Sequence, residues 1–176
     1  MAHPWHEIPM GDEAPETFNV VIEVPQGSKV KYELEKETGA LKVDRVLYSS
    51  VVYPWNYGFI PQTLAEDEDP LDAIILMQEP VAPLSLLAVK PIGMLNMVDE
   101  GEPDENIICV LTDDPQFNSY THVNELPEHI FKEMEQFFDT YKALEGKETS
   151  VHGVVGPEEA KQTVKESIKR YDEQKR

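Results

Sequence analysis

Two short stretches of the sequence concentrate carboxylates. Residues 66–72 have the sequence EDEDPLD and residues 99–105 have DEGEPDE, so each stretch carries five acids in seven positions without a base. Two carboxylates about 4 Å apart repel by about 1 kcal/mol in bulk water, but by about 4 kcal/mol at an effective dielectric near 20. If both stretches face one cleft, they must take up protons or cations. Oxygen ligands of this kind suit Mg²⁺, Mn²⁺ or Ca²⁺ better than zinc.

The spacing within the first stretch adds support for a metal site. Asp67 and Asp69 lie two residues apart, which places both side chains on one side of an extended segment. Pro70 biases Asp69 towards that extended form, and Asp72 follows where a predicted strand begins. Charge alone would favour a solvated acidic turn instead. An EF-hand fits poorly, because Asp72 stands where that loop needs glycine.

Charged residues interrupt the strand-like segments that precede the first acidic stretch. Lys31 and Glu33 share one face of a predicted strand, and Arg45 interrupts the next strand. Outward-facing ion pairs, each worth little, would explain these charges. However, Tyr53 and Tyr57 follow at even spacing and could line one inner face together with the cations. Cations and carboxylates around one cavity would suit a polyphosphate that is chelated to metal.

The elements that must position these residues change type along the chain. Alternating apolar residues and Gly/Pro turns predict strands at 18–24, 30–35, 41–48, 73–78, 86–90 and 107–111. Helical periodicity begins near Pro127, and a second helix follows Gly156 and Pro157, with a charged tail after residue 171 that is expected to fray. This order predicts an α+β fold. Short strands with Gly/Pro turns also favour a closed or nearly closed barrel, because closure removes exposed sheet edges.

Composition excludes several classes of protein. The 176 residues include 34 Asp and Glu against 15 Lys and Arg, a formal charge of −19. No basic stripe could neutralise nucleic-acid phosphates, and no apolar run approaches the ~18 residues that span a bilayer. The first residues lack the pattern of a secretory signal, so we expect a cytoplasmic protein without nucleic-acid or membrane partners. The excess of acid suggests a salt-rich cytoplasm, a hypothesis that would be refuted if stability stayed flat or fell as salt is added.

The length and continuity of the sequence predict a single domain over residues 1–176, because there is no repeat or composition break. Cys109 is the one cysteine, which excludes a disulfide within the chain.

The run KYELEKETGALKVDRVLYSSVVYPWNYGFIPQTL, together with DEDPLD and FFDTYK, closely resembles the soluble, family I inorganic pyrophosphatases. The likeness extends over essentially the whole chain, and the D-x-D-P-x-D, YPxNYG and FFDTYK motifs are highly specific as a set. It implies a five-stranded, OB-like closed β-barrel with flanking C-terminal α-helices and Mg²⁺ as the cofactor. It also implies hydrolysis of pyrophosphate to two orthophosphates by attack of a metal-activated hydroxide on phosphorus. A homo-oligomer is expected, with a hexamer favoured over a dimer.

The resemblance assigns site residues to the matching positions. The metal-binding aspartates are Asp67, Asp72, Asp99 and Asp104. The catalytic group comprises Asp69, a metal-binding position in the family and our candidate general base, with Tyr57, Arg45 and Lys142. The substrate-binding group comprises Lys31, Glu33, Arg45, Tyr57, Tyr141 and Lys142. Glu23 and Tyr53 support the site.

Two positions depart from the family pattern. Glu68 stands where Gly, Asn, Asp or Ser is usual, and its side chain is expected to point away from the metals. Asn106 stands where a phosphate-binding lysine is usual, which leaves the site one cation short. We therefore expect weaker substrate binding, or a bound metal ion that supplies the missing charge.

A noncatalytic OB-like module whose acidic loops hold calcium is the main alternative from another functional class. Both kinds of protein would bind divalent ions, but only a hydrolase requires cations and phenols to converge on them. Hydrolysis of longer polyphosphates or nucleotides is a further alternative, although the sequence shows no base-stacking platform.

Overall fold

A computed structural model describes residues 1–174. Within this range the chain forms eight β-strands and two α-helices. These are β1 (Phe18–Val24), β2 (Val30–Leu34), β3 (Leu41–Val46), β4 (Asn56–Phe59), β5 (Asp72–Leu76), β6 (Leu86–Asp99), β7 (Glu102–Leu111), α1 (Glu128–Thr140), β8 (Thr149–Val155) and α2 (Pro157–Gln174). Two 3₁₀ turns, Val123–Glu125 and Ala143–Glu145, precede and follow α1.

Six strands form one mixed sheet in the order β1-β4-β5-β7-β6-β8, whereas β2 and β3 form a separate hairpin. β5 and β7 pair in parallel, and the other pairs in the sheet are antiparallel. β1 also pairs with β6. The predicted α+β class and the C-terminal helices are therefore confirmed. None of the helices in the described chain has the length and apolar character needed to cross a membrane.

Several predicted boundaries were wrong. The strand predicted at 86–90 continues through a bulge between Pro91 and Gly93 as far as Asp99, because proline and glycine can be accommodated where the register shifts. The second acidic stretch therefore lies mostly in β6 and β7. A two-residue turn joins β6 to β7, and its central residues, Glu100 and Gly101, have φ values of 50° and 86°. Both values are positive, as a tight hairpin of this length requires.

The C-terminal third also differs in detail from the expectation. α1 ends at Thr140, and Leu144 beyond it lies in a 3₁₀ turn and is exposed. The strand β8 follows and was not predicted. α2 continues as far as Gln174, so the expected fraying does not begin at residue 171. Residues 175–176 lie outside the described part of the chain.

The sheet buries apolar side chains on both faces. Along β5, Ile74 contributes to the cluster that includes Met134 of α1, whereas Ile75 contributes to the cluster that includes Val164 of α2. Because side chains alternate along a strand, Asp72 at the start of β5 lies on the face of Ile74. The face covered by α1 is therefore the one that carries carboxylates at its edge.

Candidate functional site

Carboxylates from three strands meet at one edge of the sheet. Asp72 begins β5 and pairs in register with Asn106 of the parallel strand β7. Asp104 lies two residues before Asn106 and therefore on the same face. Asp99 ends β6 opposite Glu102, at the hairpin that leads back into β7. Strand pairing thus brings together acids that are far apart in the sequence.

A tight turn supplies the remaining acids. The Ala65 N–H donates to the Asp69 carbonyl at 2.8 Å, and the Asp69 N–H donates to Asp67 Oδ1 at 3.1 Å. Glu68 has a φ of 70°, in the left-handed region that costs residues with a side chain roughly 1–2 kcal/mol. Backbone geometry therefore explains why glycine, asparagine or aspartate suits this position. Glu68 is exposed and is not part of the cavity wall described next.

A cavity of about 200 Å³ opens between the acids and a wall of basic and phenolic side chains. The residues predicted for the site that line it are Glu23, Lys31, Glu33, Tyr53, Tyr57, Asp67, Asp69, Asp72, Asp99, Asp104, Tyr141 and Lys142. Arg45 is not among the lining residues. Leu34, Phe59 and Pro70 add apolar surface, and Lys36 adds a cation that the sequence analysis had not considered.

The end of α1 positions one side of this cavity. Tyr141 caps the helix, and its backbone N–H donates to the Phe137 carbonyl at 2.8 Å. The Tyr141 hydroxyl donates to Asp99 Oδ2 at 3.4 Å, and Lys142 Nζ lies 2.7 Å from the same oxygen. A second carboxylate, Glu100, is 3.7 Å from Lys142 Nζ. The Lys142 side chain is only 12% exposed, so water does little to screen its charge.

The separate β2–β3 hairpin positions the opposite side. Lys31 Nζ lies 3.6 Å from Glu33 Oε2. Glu23 of β1 accepts a hydrogen bond of 2.7 Å from the Leu34 N–H at the end of β2. This bond joins the hairpin to the main sheet, close to the side chains that face the cavity.

Lys36 contacts Asp69 Oδ1 as well as lining the cavity. Side chains alternate between the two faces of a strand, so an extension of β2 from Lys31 would place Lys36 on the face away from the cavity. However, β2 ends at Leu34 and the chain turns, so alternation no longer applies at Lys36. The signal that could have identified it is a cation just beyond a strand whose other charges face the site.

Burial and mutual repulsion hold protons on several of these acids. Burial raises the pKa of Asp104 to about 7, and the neighbouring Asp67 carboxylate acts in the same direction. Burial also raises the pKa of Asp72 well above its usual value, with repulsion from Asp104 adding to the shift. For Glu23, burial raises the pKa to about 7. A bound cation would offset both causes, because it favours the charged carboxylates.

Burial likewise raises the pKa of the Tyr57 and Tyr141 hydroxyls above their ordinary value, and nearby acids reinforce the effect. Both phenols therefore stay protonated at neutral pH. They can donate hydrogen bonds to phosphate oxygens, but they cannot act as bases.

The donor set fits a hard divalent cation. It consists of carboxylate oxygens, and the buried Asp99 Oδ1 has no hydrogen-bond partner among the described residues. Within residues 1–174, no three acids already form a compact ligand cluster. Lys142 and Lys36 instead contact Asp99 and Asp69. A metal ion would have to compete with these two lysines.

The raised pKa values predict that the metal-free protein loses stability as pH rises from about 4.5 to about 7. Glu23 has an ordinary pKa of 4.5 and a folded-state pKa of about 7. Within this window the folded chain keeps a proton that the unfolded chain has released. The contribution of Glu23 to the free energy of unfolding is fully present below pH 4.5 and is lost above pH 7. The difference is about 3 kcal/mol. Asp104 acts in the same direction.

Urea unfolding in the presence of a chelator, at pH 5 and pH 8, measures this loss. Replacing Glu23 with Gln should reduce the pH dependence by about 3 kcal/mol. Added Mg²⁺ at pH 8 should recover stability in the unchanged protein, because ligands that bind the folded state stabilise it. A free energy of unfolding that rises with pH across the window would contradict the prediction.

Asn106 is fully buried and does not line the cavity. Its side-chain oxygen and nitrogen both lack a hydrogen-bond partner among the described residues. Its strand position places it beside Asp72 and on the same face as Asp104. A neutral amide therefore occupies the position from which a lysine would offset both acids.

Replacing Asn106 with Lys is expected to lower KM for a phosphate-containing substrate roughly tenfold at low salt, the equivalent of one screened charge interaction of about 1.4 kcal/mol. Steady-state kinetics at low and high salt measures the effect, which should shrink as salt increases. Asn124→Lys changes the charge equally at an exposed position and serves as the control. An unchanged or raised KM for Asn106→Lys would count against the missing-cation hypothesis.

The chain is similar to known proteins along almost its whole length. The sequence model of the family described as inorganic pyrophosphatase matches residues 20–172. Soluble inorganic pyrophosphatase 2 of Chlamydomonas reinhardtii is 53% identical over 172 residues, which cover 98% of this chain and 90% of that protein. Soluble inorganic pyrophosphatase PPA1 of Solanum tuberosum is 52% identical over 172 residues, covering 98% of this chain and 82% of that protein.

Solved structures show the same relationship in three dimensions. The crystal structure of inorganic pyrophosphatase from Thermus thermophilus matches with a TM-score of 0.93 and 41% identity, covering 97% of this chain and 99% of that one. The N-terminally truncated vacuolar soluble pyrophosphatase of Trypanosoma cruzi, in complex with PPi, matches with a TM-score of 0.86 and 25% identity. That match covers 99% of this chain and 80% of the other.

Proposed function

Because the chain belongs to the inorganic pyrophosphatase family and is an enzyme that hydrolyses pyrophosphate, we propose that the reaction takes place in the cavity between the acidic loops and the basic, phenolic wall. One observation carries this proposal. Lys31, Tyr57, Tyr141 and Lys142 converge on the same cavity as the aspartates. A module that merely holds calcium gives this convergence no purpose.

Metal dependence is a property of the family, and we propose Mg²⁺ as the ion. The carboxylates that would hold it are Asp67, Asp72, Asp99 and Asp104. When bound, a divalent ion supplies charge that neutralises phosphate oxygens and lets water ionise near neutral pH. The hard oxygen donors and the raised pKa values of the buried acids support this proposal.

The chain's own residues supply positioning, charge and a base. Phosphoryl transfer needs these more than covalent help from the protein. Asp69 accepts the proton of the attacking water, whose oxygen bonds to phosphorus as the bridging P–O bond breaks. Lys142 and Tyr141, together with Arg45, neutralise the phosphate oxygens during transfer.

The hairpin side of the cavity holds the other part of the substrate. Lys31 and Tyr57 bind phosphate oxygens there, and Glu33 orients Lys31 from 3.6 Å. Tyr53 packs against Tyr57 with ring centroids 5.3 Å apart, which limits the movement of the phenol. Glu23 secures the end of the hairpin.

The closure of the barrel, the number of domains, the cellular location and the oligomeric state remain predictions. Pairing of β1 with both β4 and β6 supports a closed five-stranded, OB-like barrel. We also retain the predictions of a single domain over residues 1–176, a cytoplasmic location, and a homo-oligomer with a hexamer favoured over a dimer. Mass measurement in solution at low and high salt tests the last of these, and a monomer under both conditions would refute it.

Phosphate release from pyrophosphate, measured with Mg²⁺ and again with excess chelator, tests the proposed function. We expect rapid release with Mg²⁺ and almost none with chelator. Ca²⁺ binding without release under any metal would support the noncatalytic alternative. Equal release with and without metal would refute the assigned role of the aspartates. Parallel assays with tripolyphosphate and ATP define the substrate class, and we expect both to be poorer substrates.

A further inference from the structure

Glu145 is a buried carboxylate that lies outside the cavity. It ends the 3₁₀ turn Ala143–Glu145, directly after the segment that carries Tyr141 and Lys142. Its side chain is 5% exposed, and Oε1 lies 2.8 Å from Nε of Arg45. Removing two charges from water costs several kcal/mol, so a buried ion pair is weak evidence for a stabilising role. A positioning role is the better explanation of this pair.

The contacts of Arg45 fix two sides of its guanidinium. Glu145 pairs with Nε, and Asp44 contacts Nη1. Nη2 and Nε are both buried without a hydrogen bond among residues 1–174, so the ion pair with Glu145 alone holds Nε. Because a guanidinium is planar and its donors have fixed directions, holding Nε and Nη1 also sets the direction of Nη2. The Nη2 donors are therefore preorganised and unused.

Arg45 lies close to the cavity even though it is not part of the wall. The positive charge of Arg45 acts to lower the pKa of the Tyr53 and Tyr141 hydroxyls, and both of these residues line the cavity. Arg45 belongs to the β2–β3 hairpin, which is not part of the main sheet. The main sheet therefore does not fix the distance between Arg45 and Lys142. The pair with Glu145 supplies that link directly.

We propose that Glu145 is a positioning residue, which holds the Arg45 guanidinium so that Nη2 can donate to a phosphate oxygen of pyrophosphate. It also joins the hairpin to the segment that carries Tyr141 and Lys142. The proposal rests on the phosphate-binding role proposed above for Arg45.

The first test compares Glu145→Gln with Glu148→Gln. Both remove one negative charge from the same segment, but Glu148 is exposed. Charge alone would improve binding of an anionic substrate in either variant. Loss of positioning predicts the opposite for Glu145→Gln, a fall in kcat/KM of roughly tenfold. Glu148→Gln should keep or slightly exceed the original kcat/KM. Glu145→Asp, which keeps the carboxylate, should recover part of the loss.

A double-mutant cycle with Arg45→Ala separates positioning from a general structural effect. Arg45→Ala should itself lower kcat/KM, and adding Glu145→Gln to it should then change kcat/KM less than twofold. Two full and independent losses, accompanied by a lower melting temperature, would assign Glu145 a purely structural role and overturn the proposal. An unchanged or raised kcat/KM in Glu145→Gln would also overturn it.

The experiments distinguish a failure of the role proposed for Arg45 from a failure of the role proposed for Glu145. If Arg45→Ala leaves kcat/KM unchanged, the phosphate-binding role of Arg45 is wrong, and the role of Glu145 falls with it. If Arg45→Ala lowers kcat/KM but Glu145→Gln does not, only the role of Glu145 is wrong.

Discussion

Replacing Asp69 with Asn is expected to lower kcat by about 10²–10⁴-fold, the usual contribution of a positioned general base. Asparagine has nearly the same size but cannot accept the proton of the attacking water. The Asp69 side chain is 45% exposed, and its contact with Lys36 is near the surface, so the fold should tolerate the change. Steady-state kinetics at saturating Mg²⁺ and pyrophosphate, with thermal unfolding of the same sample, measures both effects.

Glu68→Gln is the matched control for this experiment. It removes one charge from the neighbouring residue, whose side chain is exposed and does not line the cavity. We expect near-normal turnover. The same near-normal turnover in Asp69→Asn would eliminate Asp69 as the base, whereas a large loss in both variants would point to loop charge rather than proton transfer.

Replacing Lys142 with Met is expected to lower kcat by about 10²–10³-fold, the typical loss when one donor to a developing negative charge is removed. Lys142 is largely shielded from solvent, so water cannot fully replace its charge. Its Nζ also donates a hydrogen bond of 2.7 Å to Asp99 Oδ2. Because the substitution frees that carboxylate, Mg²⁺ affinity should stay constant or increase while kcat falls. Calorimetric titration with Mg²⁺ alongside kinetics measures the two effects separately.

Lys132→Met provides the control, because it removes a well-exposed lysine from α1. Its kcat and Mg²⁺ affinity should both remain close to the original values. For Lys142→Met, an unchanged kcat would exclude the assigned role. A kcat that recovers fully at higher Mg²⁺ would show that the lysine acts on metal binding rather than on the phosphate.

Local patterns were sufficient to predict part of the fold. β1 was predicted with its observed ends, because alternating apolar residues stop at the turn Pro25–Gly27. β6 was predicted far too short, since Lys90, Pro91 and Gly93 interrupt a pattern that in the structure passes through a bulge. Short β4 was not predicted, because its glycine weakens the strand pattern. Gly58 is nevertheless required there, since an added Cβ would lie 2.0 Å from the Val21 carbonyl oxygen.

The residue types that line the cavity were predictable, but their arrangement was not. Motif spacing and family resemblance pointed to the acids, the phenols and two of the three lysines of the cavity wall. The proximity of Asp72 and Asp104, however, depends on parallel pairing of β5 with β7, which no local pattern specifies. Lys36 and Glu145 were missed for the same reason. Their partners Asp69 and Arg45 are distant in sequence and are brought close only by tertiary packing.

A crystal structure with Mn²⁺, located by its anomalous scattering, and a non-hydrolysable pyrophosphate analogue tests the proposed active site directly. We expect metal peaks within ligand distance of Asp67, Asp72 and Asp99. We also expect analogue oxygens in contact with Lys31, Tyr57 and Lys142 on the opposite wall. Metal peaks away from these aspartates, or an analogue bound outside the cavity, would contradict the proposed active site.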